Sequence, residues 1–192
     1  AGAVVLAAGA WASRLPLLEA GAAARFPPAR VEPVRGQMLC FMQTSLTEPL
    51  RHVVYTPRGY VVPRRDGRLL AGSTTERAGF RAEVTDEGAG AIRAAAAEIA
   101  PAVASLTLAD AWAGLRPCAE DGLPIVGESQ SVRGLFYATG HYRNGILLAP
   151  LTGEIVAALV GGERDAAIRL PFDLGAFSPA RLVPALAAAR GE

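Results

Sequence analysis

The sequence contains no lysine, and all 19 of its basic residues are arginine. With the abundance of alanine, this reads as base composition of the coding DNA more than as a task. An arginine here therefore points to anion binding only where its setting is special. Charge of one sign is also lacking: 18 acidic residues leave a formal net charge of +1. No global field draws the chain to nucleic acid or to an anionic membrane. Cysteine and histidine are scarce, at two each, and Cys40 and Cys118 stand far apart without zinc-type spacing. No metal site is expected. The plain reading is two buried free thiols, which fits a cytoplasmic location.

Long hydrophobic runs are missing as well. The apolar opening, residues 1–12, has no basic leader and no initiating Met, and is too short to span a bilayer. Ile146–Val160 is apolar but interrupted by Pro150, Thr152 and Glu154, so no membrane span is expected there. The chain opens directly in a strand-like pattern, as a piece of a longer protein would.

What is present is a hydrophobic content of 51% over 192 residues, enough to bury a core. Residues 3–8 read as a strand buried on both faces, with Gly9 at its turn and a helix over Ala10–Leu18. Residues 20–33 read as a crossover. Gln37–Gln43, Arg51–Thr56, Gly59–Pro63 and Arg68–Ser73 follow as β-type segments separated by short turns, which implies an antiparallel sheet. Thr85 is placed to cap a helix running to Ala100, with Ile92, Ala95, Ala96 and Ile99 on one face and Pro101 as the stop. Leu108–Leu115 is β-type and ends at Arg116-Pro117. Gly134–Thr139 is a strand and Gly140–Asn144 a turn. A helix then runs to Gly161-Gly162 with a core stripe at Leu147, Leu151, Ile155 and Leu159. The last thirty or so residues carry no readable chemistry.

Three constellations stand out. In the first, a strand leads through Gly140-His-Tyr-Arg-Asn-Gly145 into a helix. This aims backbone N–H groups and the helix dipole at a negative atom, and Arg143 adds a fork suited to a carboxylate. The alternative is an ordinary strand–helix connection capped by Asn144. In the second, Arg116 ends an apolar strand within Trp112–Pro117 and must find a partner: a substrate carboxylate, or Glu120 or Asp121. In the third, Tyr60 lies in Gly59–Pro63 and either donates its phenol to a carboxylate or simply packs on the sheet. Gly88-Ala-Gly90 half-matches a dinucleotide fingerprint but follows a polar run and lacks the third glycine, so it reads as a helix start only. No P-loop, nucleophile elbow or metal-binding helix motif occurs.

Taken together, Val4–Trp11, Gly59–Pro63 with Leu70–Thr74, Trp112–Pro117 with Glu120–Pro124, and Gly134–Pro150 resemble the C-terminal half of the D-amino acid oxidase-like flavoenzymes, most closely their glycine oxidase branch of thiamine biosynthesis. The resemblance implies an α/β and α+β fold: the C-terminal portion of a FAD-binding Rossmann-like domain plus an antiparallel-sheet substrate-binding domain. It implies boundaries at 1–30, the tail end of the first part of the FAD-binding domain; 31–111, the substrate-binding domain; 112–165, the return to the FAD-binding domain; and 166–192, a C-terminal tail. It further implies FAD as cofactor, with Gly9, Gly140, His141, Tyr142, Arg143, Asn144, Gly145, Ile146 and Leu147 lining it. Tyr60, Arg116 and Arg143 would hold the substrate carboxylate, and Thr75 would meet the substrate side chain. No side chain is called on as acid or base. The expected partners are a small amino acid, O2 and an N-terminal FAD-binding half, since the glycine-rich pyrophosphate turn and the acidic ribose ligand do not occur in this sequence. Alone, the chain is expected to bind FAD weakly and to be inactive, with apolar surface favouring a homo-oligomer. The alternatives are a D-amino acid dehydrogenase or sarcosine-type oxidase of the same fold, and a non-catalytic, partner-dependent fragment.

Overall fold

The computed structural model describes residues 2–15, 31–43, 49–162 and 172–182. Residues 20–30 of the crossover expected over 20–33, residues 16–18 of the first expected helix, and most of the tail lie outside the described residues; 31–33 belong to a strand. The chain divides into two compact units, one made of Ala1–Pro33 and Arg116–Glu192, the other of Val34–Leu115. Residues 31–33 and 112–115 thus fall on the other side from the limits read off the sequence.

In the first unit, strand β1 (Val4–Leu6) pairs in parallel with β8 (Leu135–Thr139), which pairs antiparallel with β7 (Ile125–Glu128). β1 is followed by a 3-10 turn over Gly9–Arg14 in place of the α-helix expected from Ala10. No side chain caps it, and Leu15, which precedes Pro16, is extended, as a residue before proline is disposed to be. Helix α2 (Gly145–Val160) lays Ile155 and Val156 against Val126, with Leu151 and Leu159 packed alongside. The expected stripe is thus real except at Leu147, which is 79% exposed because it lies in the first turn. Pro150 sits inside α2 rather than ending it. It is exposed, so its cost is one missing N–H and a strained approach to the carbonyl of Ile146. By length and composition alone the run Tyr142–Val160 could cross a membrane, in spite of Pro150. Its Ile155 and Val156 are instead core residues of this unit.

In the second unit, β3 (Val54–Thr56), β4 (Gly59–Pro63), β5 (Arg68–Gly72), β2 (Val31–Met42) and β6 (Thr107–Ala119) form a sheet in that order. β2 begins at Val31, six residues before the expected start at Gln37, because Pro33 and Gly36 disguise its first half. β6 continues past Arg116-Pro117 to Ala119. An edge strand tolerates proline, since its outer N–H groups have no ladder to serve. Helix α1 (Asp86–Ile99) covers one face of the sheet, burying Ile92 and Ala96 against Leu39, Phe41, Val61, Leu69 and Ala71. Thr85 caps it as expected, accepting from the Gly88 N–H at 3.2 Å.

The half-matched glycine motif has a packing reason. Gln37 is fully buried; its Oε1 accepts from the Thr85 N–H at 2.8 Å and its Nε2 donates to Glu76 at 2.8 Å. A Cβ at Gly88 would overlap the Gln37 amide, whereas nothing lies within 4 Å of one at Gly90. Gly90→Ala is expected to stabilise by about 0.5–1 kcal/mol through helix propensity. Gly88→Ala should reverse that sign and cost about 1–3 kcal/mol from overpacking. Urea unfolding of the two variants checks this; equal stabilisation by both would contradict it.

Candidate functional site

In the first unit, β1 and β8 run side by side in the same direction, so their C-terminal ends lie together. Gly9 follows one end and Gly140 the other. The Thr139 hydroxyl donates to the Gly9 carbonyl at 3.0 Å and ties the two exits. In open sheets with parallel strands, ligands bind outside these carboxyl ends.

Gly140 has φ 78°, a left-handed backbone. A Cβ there would lie 3.2 Å from Ile125 Cγ1 and 3.3 Å from Ala119 Cβ, so glycine is required by space as well as by conformation. His141 forms an antiparallel bridge with Cys118 at the end of β6. Arg116 is two residues earlier on that strand, hence on the same face as Cys118 and within about 7 Å of it along the chain. The bridge therefore brings half-buried Arg116 close to the turn. Tyr142–Asn144 form a short 3-10 turn closed by the Asn144 N–H on the His141 carbonyl at 2.9 Å. Tyr142 has φ 48°, a left-handed conformation that costs a non-glycine residue roughly 1–2 kcal/mol. Arg143 is exposed, its guanidinium 5.4 Å from the Tyr142 ring centroid.

α2 then starts at Gly145. Asn144 makes no side-chain cap, contrary to the ordinary-connection alternative. Ile146 is 96% exposed, an unusual position for a branched apolar side chain. An open, largely apolar groove of about 590 Å³ is lined by Val5, Ala7, Ala138, His141, Gly145 and Ala149, among others. His141 is buried, with Nε2 2.9 Å from the Thr152 hydroxyl, and burial pushes its pKa below the usual imidazole value.

Of the two carboxylates considered for Arg116, Asp121 is engaged by Arg181, which donates from Nε at 2.6 Å and from Nη2 at 3.0 Å. These bonds hold the Asp121 carboxyl below its ordinary pKa. Arg181 also reaches the Leu123 carbonyl at 2.9 Å. The sequence held no signal for it, because its partner is 60 residues away.

The second unit carries Tyr60 and Thr75. Tyr60 is half-buried on the sheet face away from α1 and stacks on Tyr55 with ring centroids 6.1 Å apart. Thr75 is exposed between two anchored neighbours. The Thr74 hydroxyl accepts from the Gln37 N–H at 2.9 Å, and Glu76 is held by buried Arg35 through Nε at 3.0 Å and through Nη2. Burial raises the Glu76 carboxyl, but bonds from Thr74, Arg35 and Gln37 outweigh it and leave it below its ordinary pKa. Cys40 is a buried free thiol and Cys118 a half-buried one. Among the described residues no group of His, Cys, Asp or Glu is placed to hold a metal ion.

The family described as FAD dependent oxidoreductase (DAO) matches residues 1–159. The chain belongs to this family. Glycine oxidase of Geobacillus kaustophilus is 42% identical over 180 residues, covering 93% of this chain and 44% of that protein. The bifunctional protein ThiO/ThiG of Synechocystis is 35% identical over 182 residues, covering 93% of this chain and 25% of that protein. The crystal structure of the Geobacillus kaustophilus glycine oxidase superposes with a TM-score of 0.78 at 39% identity, over 92% of this chain and 44% of that one. The chain thus spans less than half the length of these relatives. FAD is the cofactor of the family, and the mixed fold with its antiparallel sheet is the family's fold.

The burial of His141 has a consequence for stability. Its pKa is lowered on folding, so the unfolded chain binds the proton first as pH falls below about 6.5. Stability should decline from pH 8 toward pH 5.5, above the range where Asp121 and Glu76 titrate. In His141→Gln, which keeps a polar contact with Thr152, that part of the decline should vanish. Urea unfolding across this pH range checks it; an unchanged slope would contradict it.

Proposed function

We propose that this chain supplies the substrate side and the flavin-edge side of an enzyme that oxidises glycine, or a small D-amino or secondary amino acid. The product would be an imine that hydrolyses to a 2-oxo acid and ammonia, or a primary amine where the substrate is a secondary amino acid, with O2 as final acceptor, giving peroxide. The observation that carries the reading is the meeting of Gly9 and Gly140 at the parallel strand ends, with Arg143 in the turn and Arg116 beside it. The likeness to glycine oxidases and to ThiO/ThiG supports glycine as substrate and a place in thiamine biosynthesis.

The turn fits an electron-rich flavin edge on three counts. Gly140 admits no side chain, the first N–H groups of α2 have no cap from Asn144, and Ile146 and Leu147 present apolar surface outward. Gly140 through Leu147 would hold that edge, largely through backbone groups, and Gly9 would lie toward the nucleotide end. FAD, when bound, supplies the acceptor for the substrate's α-hydrogen. This chain's part is to position. Arg116 and Arg143 pair with the substrate carboxylate as charge-assisted donors, and the Tyr60 phenol adds a third donor. Thr75 meets the substrate side chain. Orientation of this kind contributes several kcal/mol, on the order of 7 in the best cases. No side chain need act as acid or base, because the amine reacts in its neutral form.

The sequence has no glycine-rich dinucleotide turn, so we assign the grip on the FAD pyrophosphate to polypeptide outside these 192 residues. By itself the chain should bind FAD weakly and be inactive, and its outward apolar groups favour association with that half or with a second copy. Nothing in the composition calls for nucleic acid or a membrane, and a cytoplasmic location fits its free thiols. A related dehydrogenase is the second reading, since the fold leaves the electron acceptor open. Peroxide formation with glycine, sarcosine and D-amino acids separates the two, activity with a dye acceptor alone marking the dehydrogenase.

Two measurements test this reading. The visible spectrum of the purified chain should lack a stoichiometric flavin signal; a full signal would overturn the shared-site assignment. In the flavin-loaded enzyme, that is, this chain together with the polypeptide that grips the FAD pyrophosphate, Arg116→Ala should raise KM on the order of 100-fold, about 2.7 kcal/mol, with flavin content unchanged. An unchanged KM would remove Arg116 from the site.

A further inference from the structure

Tyr60 has a partner that its proposed task does not explain. Its O–H donates to the Met38 sulfur at 3.3 Å. Met38 on β2 and Tyr60 on β4 both stand opposite Gly72 on β5, so the three residues form one row across the sheet. A Cβ at residue 72 would overlap the Met38 sulfur, lie 2.9 Å from its methyl group and stand 3.2 Å from the Tyr60 oxygen. Glycine there lets the thioether lean under the phenol. On the other side the ring is braced by Tyr55, nearly parallel at 11°. The hydroxyl is thus aimed by a sulfur and a stacked ring.

We propose that Met38 is a positioning residue for substrate binding: a weak acceptor that holds the Tyr60 hydroxyl in place and yields it to the substrate carboxylate. This rests on the assignment of Tyr60 to that carboxylate. A thioether sulfur is a poor acceptor, and a carboxylate forms a charge-assisted bond roughly twice as strong as a neutral one. Exchanging the first for the second is therefore downhill. An amide or carboxyl oxygen at the same place would compete with the substrate. A purely apolar side chain would brace the ring without aiming the proton. Methionine does both, since it is unbranched and fits the gap over Gly72.

The test uses the flavin-loaded enzyme, with acetate affinity by calorimetry and steady-state kinetics on glycine. Met38→Gln keeps the length and installs a strong acceptor. It should weaken acetate about tenfold and raise KM by the same factor, with kcat unchanged. Met38→Leu keeps the bulk and removes the acceptor, and should weaken acetate by about two- to threefold, a loss that vanishes in the Tyr60→Phe background. In a Tyr60→Phe background, Met38→Gln should add nothing further. Equal losses from Leu and Gln, or a Gln loss that persists without the phenol, would mark Met38 as packing only and overturn the proposal. If Tyr60→Phe weakens acetate but Met38→Gln does not, this proposal fails and the Tyr60 assignment stands. If Tyr60→Phe changes nothing, the assignment fails and takes this proposal with it. Should Met38→Gln not fold, the Leu variant decides alone: an unchanged acetate affinity, or a loss that persists in the Tyr60→Phe background, overturns the proposal.

Discussion

Val4, Val5 and Leu6 pair in parallel with Leu135, Phe136 and Tyr137, and the first unit depends on that short ladder. A parallel pair needs a long connection, so nothing local brings these residues together. The ladder is fixed at its start by the Val4 N–H on the Gly134 carbonyl at 2.8 Å. At its finish it is fixed by the Thr139 hydroxyl on Gly9, across 130 residues. Once the strands are in this register, their C-terminal ends must lie together. Everything assigned to the flavin edge follows from that placement. The left-handed Gly140, the Tyr142 strain, the start of α2 and the Cys118–His141 bridge all crowd one end of one small sheet.

The second unit solves a different problem. An antiparallel sheet covered on one face by α1 leaves its other face for Tyr60, Met38 and their neighbours. The segment with Thr75 has no regular structure, and a polar cluster of Arg35, Gln37 and Glu76 restrains it. Buried charge of this kind adds little net stability, but breaking it leaves one partner uncompensated. Such a cluster therefore fixes a geometry. Thr75 can vary in size while its neighbours Thr74 and Glu76 hold the backbone still.

The legible parts of this chain were those governed by short-range rules. Thr85 with Asp86 and Glu87 announces a helix start, Pro101 its end, and the turns between β3, β4 and β5 are written in Pro57-Arg58 and Arg65-Asp66-Gly67. The Gly140–Gly145 turn was visible as a motif, and the resemblance to flavoenzymes gave it a family that the comparison of chains then supplied independently. The illegible parts depend on distance or on competing local signals. The first half of β2 hid behind Pro33 and Gly36. β7 is only Ile125–Glu128 and is held by β8 rather than by its own pattern. Leu147 obeyed the four-residue repeat yet points outward, because the helix face turns to the core only after its first turn. Arg181 and Met38 act through partners that no spacing rule could name.

In the function proposed above, flavin and substrate carboxylate meet at the Gly140–Gly145 turn, with Arg143 facing the carboxylate. Titrating the flavin-loaded enzyme with acetate while recording the visible flavin absorbance tests it directly. A carboxylate bound beside the flavin should shift the absorbance saturably. Arg143→Met should weaken that titration about tenfold or more at unchanged flavin content. Superimposable titrations of the two proteins, or no absorbance change at saturating acetate, would contradict the account.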